Sequence, residues 1–375
     1  MADLAKTFSA IYERIFPRRV PAVPDPRVLF VLKQRPGYVG VGMSSGLANS
    51  VRFVVDMLRK EGIEAESIEV PDYNHIHRHC LRYRPTHAII EAIWATPQKF
   101  VELAQLNPQI KWIVRGHSEI PFLANEGIAI DWIFRYVELP NVSYAANSLA
   151  SVRDIRTLVQ ASHPSWTRAQ VEEKVVSLPN FYPAQMRFLR RKASDEFLDV
   201  GCFGAIRPLK NQLIQAIAAI EFAEFQGKTL RFHINGTRTE QGGERVQKNI
   251  RALFVHTPHQ LIEHGWLTHK EFLEVLRGMD VGMQVSFSET FNIVAADMTV
   301  SGLPIVTSPE ITWVSKWCQA EPTNSEDIFL KLMRATDWRL RDVLRVLNLR
   351  GLKLYCEQSK AEWLRYLRAD REETT

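Results

Sequence analysis

The chain of 375 residues has only four cysteines, Cys80, Cys202, Cys318 and Cys356, far apart and without a CxxC pair. That spacing excludes a disulfide framework and a cysteine zinc site, and fits reduced thiols in a cytoplasmic protein. No stretch approaches the ~18 uninterrupted apolar residues of a membrane-spanning helix. The amino terminus lacks the continuous apolar core and small-residue cleavage site of a secretory signal. Charge of one sign is scarce too: 47 Lys and Arg face 42 Asp and Glu, a formal net charge of +5. Such a balance permits an anionic partner without requiring one. The sequence holds no D-x-D, no H-E-x-x-H and no Walker loop, which removes the simplest metal, protease and nucleotide-loop readings.

What is present is ordinary soluble-protein material. Hydrophobic residues make up 46% and charged residues 24%, enough to bury a core and too much to leave the chain disordered. At about 150 residues per domain, the length points to two domains. Residues 1–26 stand apart. Leu4, Phe8, Ile11 and Ile15 recur at helical spacing beside Lys6, Arg14, Arg18 and Arg19, and a proline-rich linker follows. This is an amphipathic helix that either lies on an anionic membrane surface or packs on protein.

From Arg27 a strand–helix beat begins. Apolar runs at 27–32, 65–70, 87–92, 111–116, 142–147 and 174–180 predict strands, with a helix over 50–62 among the intervening segments. A polar, basic stretch at 187–196 reads as a linker. The beat restarts with strands at 197–204, 229–235, 260–266, 280–286 and 303–308 and a helix over 211–227. Alternation of this kind needs crossover connections, hence parallel sheets covered on both faces. The pattern predicts an α/β protein of two Rossmann-like doubly wound domains, 27–190 and 191–345, facing across a cleft. The final segment, 346–375, is predicted to be a helix packing back on the first domain. Ligands of such sheets bind beyond the carboxyl ends of the strands.

Four strand-end segments carry candidate chemistry. In 286–308 a helix is predicted from near Thr290 to Ser301, stopped by Gly302. Glu289 and Asp297 are then eight residues apart, about 12 Å along the axis and within roughly 80° around it. The amides of Thr290, Phe291 and Asn292 would point from the positive helix end toward a phosphate. In 200–216 a strand leads to Arg207 and Lys210 and then a helix, placing two cations at a strand end. His117 follows Gly116 at the end of the strand 111–116. The glycine-rich stretch 37–50 nearly spells a dinucleotide fingerprint, but Gly42 to Gly46 has one residue too many, which argues against a dinucleotide oxidoreductase. Gly42, Ser45 and Gly46 are its candidate ligand contacts, and Gly236 and Trp266 join them from later strand ends. His75, His79 and Cys80 mimic a metal set but read as a polar surface turn, and no metal is expected.

Segment 286–308 resembles the E-x7-E region of retaining glycosyltransferases of the GT-B fold, most closely glycosyltransferase family 4. The resemblance implies that Glu289 engages a donor sugar and that Asp297, standing where the family has a second Glu, binds the ribose. It implies that Arg207 and Lys210 bind the donor diphosphate, that His117 reaches the sugar across the cleft, and that the loop with Gly42, Ser45 and Gly46 approaches phosphates and acceptor. The implied substrate is a UDP-linked nucleotide sugar. With no D-x-D motif, protein cations would neutralise the diphosphate, with no metal and no other cofactor. The amino-terminal half is similar to glycosyltransferases of tailed bacteriophages. That likeness implies an acceptor hydroxyl on hydroxymethylated pyrimidines in double-stranded DNA, in host cytoplasm. Arg78, Arg82, Arg84, Arg187, Arg190, Arg191 and Lys192 would then contact phosphates. The alternatives are an acceptor in cell-surface glycan or glycolipid synthesis, which the amphipathic amino terminus favours, and a non-catalytic nucleotide-sugar-binding protein.

Overall fold

Two parallel sheets organise the chain. The computed structural model describes residues 25–34, 46–185, 194–265 and 267–372. The amphipathic segment before residue 25, the loop residues Gly42 and Ser45, Arg187, Arg190, Arg191 and Lys192 of the linker, and Trp266 lie outside the described residues.

The first sheet comprises β1 (Arg27–Lys33), β2 (Glu64–Val70), β3 (His87–Glu91), β4 (Lys111–Gly116), β5 (Val142–Ala146) and β6 (Val175–Ser177), in the order β2-β1-β3-β4-β5-β6. The second comprises β7 (Phe197–Gly201), β8 (Thr229–Asn235), β9 (Gln260–His264), β10 (Val281–Gln284) and β11 (Ile305–Thr307), in the order β11-β10-β7-β8-β9. The pairings in both sheets are parallel. The doubly wound expectation therefore holds. Apart from β8, the second sheet's strands are shorter than the sequence runs, which continue past the ladders into the loops at their carboxyl ends. In each sheet the chain reverses its direction of travel once, between β1 and β3 and between β7 and β10. At such a point the helices leave to opposite faces and a crevice opens beyond the strand ends.

The alternation of side chains assigns each strand's two faces to two cores. Leu29, Val31, Ile90, Trp112, Val114 and Tyr144 pack on one face with Phe100 and Tyr136. Val28, Phe30, Ile89, Ile113 and Ala145 pack on the other. The helix Gly46–Lys60 supplies Val51, Val54, Val55 and Leu58 to that second face, from positions three or four apart on one stripe. Completing it is the long helix Arg341–Glu372, which follows the second sheet in sequence yet brings Trp363 and Leu367 onto the first. The indole of Trp363 is fully buried, donates to the carbonyl of Pro179 at 2.8 Å, and lies 5.8 Å from the Phe30 ring. Lys360 pairs with Glu61 at 3.0 Å, and Ser177 donates to Glu362 at 2.5 Å.

All four cysteines are buried and unpaired. Burial pushes the thiols of Cys80, Cys202 and Cys356 up to about 12, so they are neutral and poor nucleophiles. Among the described residues no helix is long and apolar enough to cross a membrane.

Trp363→Ala removes the largest apolar group tying the last helix to the first sheet. It is expected to cost about 3–5 kcal/mol of stability, read as a lowered urea midpoint. An unchanged midpoint would show that the helix does not hold that sheet.

Candidate active site in the interdomain cleft

The loops that leave β7 and β10 stand side by side, because those strands are neighbours at the direction change of the second sheet. The β7 loop passes Gly204, at φ 115, and Arg207, makes a tight turn at Pro208–Lys210, and enters the helix Gln212–Phe225. Asn211 makes that entry in the left-handed region at φ 56. Its amide donates to the carbonyls of Val285 at 3.0 Å and Pro322 at 2.7 Å. Gln215 donates to the Lys210 carbonyl at 2.8 Å and accepts from the Val285 amide at 2.9 Å. The backbone carrying Lys210 is thus pinned to the end of β10, whose loop carries Glu289.

Within this frame the Lys210 ammonium is bonded to the Glu289 carboxylate, and Ser286 donates to the same carboxylate at 3.0 Å. Both ion-pair partners are mostly buried, at 12% and 8% side-chain exposure. Burial pushes the Lys210 ammonium below its ordinary value; Glu289 opposes that, and the nearby Arg207 charge adds to it. Arg207 is bonded to Glu240 at 3.4 Å and lies 4.6 Å from the ring of Phe122, which belongs to the first sheet's side of the cleft. Lys210 and Glu289 therefore meet at one point, with the Arg207 charge near enough to act on Lys210.

The helix expected from near Thr290 begins instead at Ile293 and runs Ile293–Val300. Asn292 sits at φ 59 and caps it, accepting from the Ala295 amide at 2.9 Å and donating to Gln284 at 2.8 Å. Phe291 is fully buried, with its carbonyl accepting from the Trp313 indole at 2.9 Å. A left-handed residue cannot continue a helix, so Glu289 lies in the preceding loop and not on the helix. The side chains of Phe291 and Asn292 are engaged by the fold. Asp297 does lie on the helix, buried, accepting from the Tyr182 hydroxyl at 2.6 Å and paired with His269 at 2.7 Å. It lines a pocket with Gly46, Gly204, Asn235, Arg238 and His269. A side chain at Gly46 would stand 3.3 Å from Ile293, so glycine lets the first domain close on this helix. Gly236 is one residue beyond Asn235, its amide bonded to the His264 carbonyl at 3.0 Å.

Across the cleft, His117 follows β4. Gly116 before it has no room for a side chain: a Cβ would fall 1.8 Å from the Tyr144 hydroxyl. The Nε2 atom of His117 is bonded to the carboxylate of Glu91, at the end of neighbouring β3. Glu91 is fully buried and also accepts from Arg115 at 3.2 Å. Arg115 donates in turn to the Leu178 carbonyl at 2.8 Å and to Asn180 at 2.7 Å. Burial and the Arg115 charge push His117 below its ordinary value, against the opposing pull of Glu91. Asn147 donates to the Thr290 hydroxyl at 3.1 Å, and that hydroxyl donates to the His117 carbonyl at 3.4 Å. Thr290 is therefore the residue by which the two domains meet beside Glu289.

Sequence reasoning did not single out Glu91, Arg115, Asn147, Asn211, Tyr182 or His269. For the first two a signal existed: each is a charged residue near the carboxyl end of a strand whose middle is apolar, HAIIE and KWIVRG. His75 pairs with Asp72 at 3.3 Å, and Cys80 turns into the core. The basic end of helix Ile76–Tyr83 points away from the cleft. Arg27, the first residue of β1, stacks on Tyr83 at 4.9 Å, which puts Arg82 and Arg84 toward the amino end of the sheet.

No family model matches the chain, and no curated protein sequence does. Solved structures do. A UDP-forming α,α-trehalose-phosphate synthase from Burkholderia vietnamiensis aligns over 92% of this chain and 97% of its own, with TM-score 0.64 at 11% identity. Sucrose-phosphate synthase from Thermosynechococcus elongatus aligns over 92% and 100%, with TM-score 0.64 at 12% identity. HepE of Anabaena, solved with UDP and glucose, aligns over 93% and 99%, with TM-score 0.59 at 12% identity. The fold is GT-B. Identities this low carry architecture, and the matches span both lobes.

Because folded His117 is held below 6.5, the unfolded chain takes up that proton first on acidification. Stability is then expected to fall as pH drops from about 7 to 5. His117→Gln should flatten the slope, leaving the part due to His79 and His264, which burial also holds low. Glu91 is lowered from 4.5 and so acts below this window. Equal slopes in the two chains, from denaturation midpoints at each pH, would exclude the assignment to His117.

Proposed function

We propose that the chain transfers a sugar from a UDP-linked donor to an acceptor hydroxyl with retained configuration, and that its own cations neutralise the diphosphate without a metal ion. The observation that carries this reading is the Lys210–Glu289 pair, with the Arg207 charge beside it, at the direction change of the second sheet and across a GT-B cleft from His117. Structures of the same fold support the donor class: HepE of Anabaena is also solved with UDP-glucose, and the Escherichia coli trehalose-6-phosphate enzyme with UDP-2-fluoro glucose.

In the proposed reaction Lys210 exchanges Glu289 for a diphosphate oxygen, and Arg207 joins it. Two fixed cations in a water-poor gap stabilise the charge that develops as the sugar–phosphate bond breaks. Glu289, released, accepts from hydroxyls of the sugar. Asp297, already steadied by Tyr182 and His269, accepts from the ribose. His117, held by Glu91, borders the sugar from the other domain. The acceptor oxygen enters on the face from which the diphosphate departs, and its proton leaves with the diphosphate. Closure of the cleft excludes the water that would otherwise hydrolyse the donor. A duplex-DNA acceptor is not part of the proposal, since Arg82 and Arg84 lie toward the far end of the first sheet.

The test is a panel of nucleotide sugars scored for thermal stabilisation and slow donor hydrolysis. A UDP-sugar is expected to raise the melting temperature, and failure of every UDP-sugar to do so would sink the reading. Lys210→Ala is expected to lower turnover by about 10²–10³-fold with little change in KM, the loss typical of one preorganised charge-stabilising group. Unchanged turnover would remove Lys210 from the mechanism.

A further inference from the structure

A second cavity, of about 300 Å³, adjoins the same segment. Glu289 and Thr290 wall it, whereas Ile293, Val294 and Asp297 wall the pocket described above. One short stretch of chain thus faces two spaces. The far walls of the second cavity come from the loop after β5, the loop after β6 and the face of helix Arg341–Glu372 that carries Tyr355 and Glu362. Its volume is at the small end of ligand sites.

Two independent features describe what fits there. The first is charge. Glu119, Glu289, Glu310 and Glu362 line the cavity, and its lining includes no lysine or arginine. Serines hold three of these carboxylates in place: Ser148 and Ser151 donate to Glu119 at 2.5 and 2.8 Å, Ser177 donates to Glu362, and Ser286 donates to Glu289. Burial and the charges of Glu119 and Glu289 push the Glu310 carboxyl above its ordinary value, a sign of crowded negative charge. The second feature is an orphan. Asn147 lines the cavity and is fully buried. Its amide nitrogen is used by Thr290, but its carboxamide oxygen has no hydrogen-bond partner. A buried acceptor left unpaired costs free energy, and a hydroxyl or ammonium from an occupant would satisfy it. Carboxylates and a bare carbonyl all accept; none repays a second anion.

We infer that this cavity is the acceptor subsite and takes a compact, hydroxyl- or amine-bearing acceptor that lacks phosphate and carboxylate groups. The inference rests on the glycosyl-transfer reading. The acceptor O–H bond breaks and its oxygen bonds to the anomeric carbon of the donor. The carbon–oxygen bond to the diphosphate breaks, and the diphosphate carries off the proton. Glu289, shared by the donor gap and the cavity, sets the two reactants side by side.

The experiment uses the full chain in the presence of UDP. Binding of glucose, galactose and mannose is measured by saturation-transfer NMR against their 2-amino and 6-phosphate forms. UDP binding is scored separately by thermal shift. Neutral or amino sugars are expected to bind about tenfold or more tightly than the phosphates, since like charges set against each other disfavour binding. With UDP bound, a preference for any 6-phosphate, or binding of no neutral or amino sugar, overturns the inference and leaves the donor reading standing. Absence of UDP binding overturns the donor reading, and this inference with it. Glu310 is exposed at the rim, so Glu310→Lys should fold and should narrow the gap between glucose and glucose 6-phosphate several-fold. An unchanged ratio also overturns the inference.

Discussion

The buried ion pair between Lys210 and Glu289 is the constraint around which the cleft is built. Each partner comes from a different loop, and each loop is the first turn after a strand at the direction change of the second sheet. An ammonium and a carboxylate this far from water are tolerated only as a pair with further hydrogen bonds, because desolvation of either alone is costly. Ser286 provides such a bond to the carboxylate, and Asn211 and Gln215 hold the lysine's backbone against β10. A pair of this kind contributes little net stability. What it provides is a cation and an acceptor fixed at one point.

The opposite wall follows the same logic. His117 would be free to rotate if only its own strand held it. Glu91 on the neighbouring strand fixes its Nε2 edge, and Arg115 offsets the charge that Glu91 would otherwise leave buried. Arg115 is itself tied to Leu178 and Asn180, on the connection between the two domains. Trp363 of the last helix lies 5.3 Å from the same guanidinium. The histidine's orientation is therefore linked, through three charged or polar side chains, to the segment on which the domains join.

Much of this architecture was readable in the residues. Apolar runs of strand length, separated by helical stripes, predicted two doubly wound sheets, and the sheets are there. That Arg207, Lys210 and Glu289 stand in loops after strands was also legible, since short segments after a strand leave few places for a charged side chain to go. The start of the helix after Glu289 was not. Its sequence alone permits a first turn at Thr290, and the deciding event is the left-handed turn at Asn292, whose amide is claimed by Gln284 of β10. Glu91 and Arg115 gave a weak signal as charges in apolar strands. Their partnership depends on β3 and β4 being neighbours, and strand order is a property of the whole chain.

The sequence by itself determined the alternation of strands and helices, the two sheets and the type of charge at each strand end, because those follow from local periodicity and from what a side chain tolerates. Tertiary structure decided which strand ends stand together, that the carboxylates of Glu119, Glu289, Glu310 and Glu362 surround one cavity, and that Asn147, whose carboxamide oxygen is unpaired, lines it. These residues are separated by tens to hundreds of positions, so only the crossover path of the chain, which no local pattern records, could bring them within reach of one another.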